Sequence, residues 1–119
     1  MMNTEQLTNL AIQALEDMKA QEVTVIDVKD KTSIADAMVI ATGTSDRHVG
    51  SLANEVVVKA KAAGENPLGV EGEAQSDWVL VDLGDVIVHV MTQKARDFYE
   101  LEKLWSVRPG DSDAGIAKV

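Results

Sequence analysis

Two histidines, twenty acidic side chains and no cysteine set the limits of the chemistry open to these 119 residues. Without a thiol there is no cysteine nucleophile, no thiolate metal site and no disulfide framework, which fits a reducing compartment. His48 sits at a helix start and His89 inside a strand; they stand at no ligand spacing, and no serine, histidine and acid follow one another in triad order. His89 reads first as a hydrogen-bonded structural residue and only second as a catalyst. Metal-dependent nucleotidyl transfer asks for two acids alternating along one strand face. Asp27 and Asp30 have the wrong spacing, while Asp82 and Asp85 bracket Leu83 and Gly84, where aspartate serves the backbone of a turn. Neither a metal nor a cofactor is therefore expected. The best enzymatic lead is the loop Gly43, Thr44, Ser45, Asp46, whose N–H groups at a helix start could hold a phosphate. One glycine and one hydroxyl cap are also what any strand-to-helix junction needs, and the further glycines of a phosphate-binding fingerprint are missing.

The elements around these residues follow from periodicity. Leu7, Leu10, Ala11, Ala14, Leu15 and Met18 mark one stripe of a helix over residues 4–19, capped by Asn3 or Thr4. Residues 23–28 are β-branched and short, so they read as a strand, and residues 30–33 as a polar turn. Residues 37–42 are an unbroken apolar run, as expected of a central strand covered on both faces. Val49, Leu52, Ala53, Val56, Ala60 and Ala63 stripe the next helix, which Gly64 ends. Such a strand–loop–helix unit usually leads to a parallel neighbour, and residues 68–70 are the candidate. Residues 78–82 and 86–91 form a hairpin around Gly84. Residues 94–105 read as a helix with Phe98, Leu101, Leu104 and Trp105 in its apolar stripe. The class is α/β, a mixed sheet of about five strands with flanking helices, in a single domain over residues 1–106; residues 107–119 form a disordered tail.

Twenty acidic against eleven basic residues give a formal charge of −9, which repels phosphate backbones and argues against direct nucleic-acid contact. The same charge speeds encounter with a basic protein. No apolar run is long enough to span a membrane and no leader pattern opens the chain, so a cytoplasmic location is expected. Aromatic residues are only 3% of the chain, and all fall in its second half. Trp78 begins a strand directly after the polar GEAQSD, where its ring suits either an interface anchor or the core; the interface is the preferred reading. Tyr99 follows Phe98, so with Phe98 on the core Tyr99 points about 100° away, toward the surface.

The segments ADAMVIATGTSDRHV, PLGVEGEAQSDWVLVDLGDVIVHVM and FYELEKLW together resemble the bacterial ribosomal silencing factors, relatives of plant Iojap and of a mitochondrial assembly factor. The resemblance implies a nucleotidyltransferase-like fold without catalytic acids, and hence a binding protein rather than an enzyme. It implies binding to protein fourteen of the large ribosomal subunit, steric exclusion of the small subunit when nutrients are short, and homodimers of the free protein. The partner-binding patch is expected to contain Pro67, Glu71, Glu73, Trp78, Leu80, Asp82, Tyr99 and Glu102, an apolar centre with an acidic rim. The rival from another class is a nucleotide-binding or nucleotidyl-transferring enzyme working through the Gly43–Asp46 loop. A ribosome-assembly factor would share the first reading's binding site and differ in when it acts.

Overall fold

The computed structural model describes residues 2–72 and 77–99. Asn3 opens helix α1 (Thr4–Asp17) through a capping box: its side chain accepts the Gln6 N–H at 2.8 Å, and the Gln6 side chain accepts the Asn3 N–H at 3.0 Å. Leu7, Ala11, Ala14 and Leu15 form its buried stripe. Strands β1 (Gln21–Asp27) and β2 (Ala37–Gly43) follow, then helix α2 (Asp46–Ala62), which buries Val49, Leu52, Ala53, Val56 and Ala60. Ala63 is the exposed C-cap of this helix, not part of its stripe. The chain continues through β3 (Gly69–Glu71), β4 (Trp78–Asp82), β5 (Val86–Thr92) and α3 (Gln93–Tyr99). No helix among the described residues is long and apolar enough to cross a membrane.

The strands form one mixed sheet in the order β1-β2-β5-β4-β3. β2 and β5 are parallel; the pairs β1/β2, β4/β5 and β3/β4 are antiparallel. The expected hairpin is present, with Gly84 at φ +95° in its turn. β3 is not the parallel neighbour of β2. It pairs only with β4, at the sheet edge, and β5 takes the interior place. The reason is burial: β5 matches β2 over seven positions and buries every residue from Val86 to Met91, whereas Val70 and Glu71 of the three-residue β3 stay exposed. β2 is interior and wholly buried, as its apolar run requires, but the middle place in the sheet is that of β5.

Alternation along the strands gives the sheet two apolar faces. On one, Ala37, Val39, Ala41, Val79, Val81, Val86, Val88 and Val90 pack under α1 and α2. On the other, Ile26, Met38, Ile40, Ile87 and Met91 cluster with Ala95 of α3, and Trp78 and Leu80 pack partly against them. The third helix departs from expectation on this second face. Phe98 is 78% exposed, and the buried positions of α3 are Ala95 and Arg96. The small Ala95 side chain lets the helix approach the sheet, and the Arg96 guanidinium reaches across it to polar acceptors, so no large apolar residue is needed there. Leu101, Leu104 and Trp105, and the tail, lie outside the described residues.

Candidate functional site

The hairpin register decides which side chains meet. Trp78 stands opposite Met91, Leu80 opposite His89 and Asp82 opposite Ile87, so Trp78 and His89 are diagonal neighbours on one face. The Trp78 indole Nε1–H donates to His89 Nδ1 at 3.1 Å. His89 is 5% exposed, and burial pushes its pKa down to about 4, so the ring is neutral. Since an indole nitrogen only donates, Nδ1 is the bare nitrogen and the proton is on Nε2, which has no hydrogen-bond partner among the described residues.

The indole also meets Tyr99, with ring centroids 4.5 Å apart and planes at 50°. Phe98 stands edge-on to Tyr99 at 4.9 Å and 87°. Trp78 is half-buried, while Tyr99 and Phe98 are exposed. Beside these rings lies a cavity of about 480 Å³ lined by Asp77, Lys94, Ala95, Asp97, Phe98 and Tyr99.

Arg96 fixes the helix that carries two of these rings. Its guanidinium donates to the Glu22 carbonyl at 2.6 Å, to Thr42 Oγ1 at 2.7 Å and to Thr24 Oγ1 at 3.0 Å. Glu22 offers that carbonyl because β1 bulges there, with Glu22 at φ +48° between the paired Gln21 and Thr24.

Of the expected patch, the fold brings Trp78, Leu80 and Tyr99 together, and places Glu71 on the edge strand directly opposite Leu80. Pro67 is half-buried in the segment that leads to β3. Asp82 lies on the same strand face, yet its Oδ1 accepts the Gly84 N–H at 2.8 Å and so serves the turn. Glu73 and Glu102 lie outside the described residues. Sequence reasoning missed the bond between Trp78 and His89, although counting outward from the turn sets it: residues 82 and 87, 80 and 89, 78 and 91 must face each other. It also missed Arg96, for which a lone arginine between Ala95 and Asp97 gives no signal.

The loop favoured by the enzymatic reading has other uses for its donors. Thr44 N–H donates to His48 Nδ1 at 2.8 Å, and His48 N–H donates to Ser45 Oγ at 3.1 Å. His48 Nε2 lies 2.8 Å from the Met18 carbonyl, which ties the loop to the end of α1. A Cβ on Gly43 would stand 2.9 Å from both the backbone nitrogen and Cγ2 of Val49, so this glycine admits the helix against the strand. Among the described residues no group of three or more His, Asp or Glu side chains is placed to hold a metal ion.

The family model described as "Ribosomal silencing factor during starvation" matches residues 1–118. A Chromobacterium violaceum protein named ribosomal silencing factor RsfS is 44% identical over 98% of this chain and 96% of its own length. A crystal structure of a Chromobacterium violaceum protein superposes with a TM-score of 0.87 at 46% identity, covering 90% of this chain and 89% of that one. A mouse protein named mitochondrial assembly of ribosomal large subunit protein 1 is 32% identical over 87% of this chain, a match that spans 46% of that protein.

Proposed function

The chain belongs to the ribosomal silencing factor family, and from that premise we propose that it silences by occlusion: it seats on protein fourteen of the large ribosomal subunit, at the inter-subunit face, and so keeps the small subunit from joining when nutrients are short. The observation that carries this reading is the aromatic run Trp78, Tyr99 and Phe98, half-buried to exposed, on a protein of formal charge −9. Rigid rings supply contact area at small entropic cost, and the acidic surroundings attract a basic ribosomal protein. Leu80 lies beside the rings and Glu71 across from it, giving an apolar centre with charge at its margin.

No chemical step is needed for this action, and at the Gly43–Asp46 loop the Thr44 amide and the nearby His48 amide are engaged within the chain, by the His48 ring and the Ser45 hydroxyl. A role in large-subunit assembly uses the same site at an earlier time; the name of the mouse relative favours keeping it beside the first. The protein works in the cytoplasm, and when free it pairs with a second copy. Leu68 and Val70, 74% and 50% exposed at the open edge of the sheet, support that pairing. The test of binding is co-sedimentation with isolated subunits. The protein is expected to pellet with large subunits and to stay in solution with small ones; an equal distribution between the two would refute the assignment.

A further inference from the structure

His89 occupies a place where an apolar residue would serve the core better. It lies between Ile40 of β2 and Leu80 of β4, within a cluster of Ile26, Met38, Ile87 and Met91. Placing an imidazole there leaves a buried Nε2–H without a partner among the described residues, a feature that native cores rarely tolerate. The one side-chain bond it makes among the described residues is to an indole N–H that, on a half-buried side chain, water could also satisfy. Stability alone therefore gives no reason for a histidine at this position. Geometry does. The indole is held at one end by a ring the core cannot release and on its flank by Tyr99, 4.5 Å away.

We propose that His89 is a positioning residue for partner binding: through its bond to Nε1–H it holds the Trp78 indole in the orientation that the partner meets, without touching the partner itself. The inference rests on the reading of Trp78 as an interface anchor. Ordering a side chain before association removes a cost that would otherwise be met on binding. The bond then appears as affinity.

Two variants separate the acceptor from the ring. His89→Phe keeps a planar ring and removes the acceptor; His89→Asn keeps an acceptor near the Nδ1 position and removes the ring. For each, the dissociation constant for isolated large subunits is measured beside the NMR resonance of the hydrogen-bonded indole, identified by its loss in Trp78→Phe. His89→Phe is expected to lose the bonded resonance and to bind roughly threefold to tenfold more weakly, and His89→Asn to keep both. A folded variant that binds like the parent without the bonded resonance overturns the proposal, as does one that binds weakly while keeping it. Should His89→Phe not fold, His89→Asn decides by the same two readings. A merely structural histidine would shift the melting temperature and leave the affinity of the folded protein unchanged. If Trp78→Ala binds like the parent, the anchor reading itself fails; if it does not, but affinity and indole bond part company in the His89 variants, the positioning role alone fails.

Discussion

Acidification should destabilise this fold through His89 before most carboxylates titrate. In the folded chain the ring resists protonation down to about 4, because burial strips the charged form of water, whereas in the unfolded chain it takes a proton at 6.5. Between those values the unfolded state binds more protons, so stability is complete above pH 6.5 and falls as the pH drops toward 4. The full interval corresponds to about 3.4 kcal/mol, of which about 2 kcal/mol is already lost at pH 5. That is a sizeable part of what a domain of this size can have. Urea unfolding at pH 7 and pH 5, on the parent and on His89→Asn, isolates the effect, since His48 and the carboxylates are common to both. The parent should lose about 2 kcal/mol more than the variant between the two pH values. Equal losses would refute the buried neutral ring and the tautomer drawn from it.

Trp78→Ala should lower stability by about 2 kcal/mol, roughly half the cost of a fully buried tryptophan, because the ring is only half-buried; thermal unfolding checks this. The same change should weaken large-subunit binding by at least about thirtyfold, read by co-sedimentation, and a larger stability loss with unchanged binding would assign the ring to the core. Gly43→Ala should cost about 1 to 3 kcal/mol in urea unfolding, since the new methyl group meets the Val49 backbone nitrogen at 2.9 Å and α2 must shift to admit it.

The parts of this fold that sequence patterns reveal are those in which one local rule dominates. Residues 37–41 have no polar position to turn toward water, which points to an interior strand, and Gly84 between two β-branched runs points to a hairpin. The placement of β3 was harder, because the rule that a strand–helix unit returns to a parallel neighbour does not say which later strand that neighbour is. β5 won the place by its longer apolar run, a competition visible only when all strands are compared. In α3 the stripe argument failed at Phe98, since a helix anchored by a buried arginine need not turn that apolar residue inward. The geometry of the expected patch was legible in part. Trp78, Leu80 and Tyr99 do converge, but Asp82 turned out to serve its own turn, as aspartate beside glycine commonly does. The bond from Trp78 to His89 was implicit in the register and needed no information beyond the turn position.

The central claim, silencing by occlusion, is tested most directly by following subunit joining. Isolated large and small subunits are mixed in magnesium with increasing amounts of the purified protein, and joined ribosomes are followed by light scattering. The account predicts that joining falls as the protein approaches one copy per large subunit, and that Trp78→Ala restores it. Unchanged joining at a stoichiometric excess of the folded protein would contradict it.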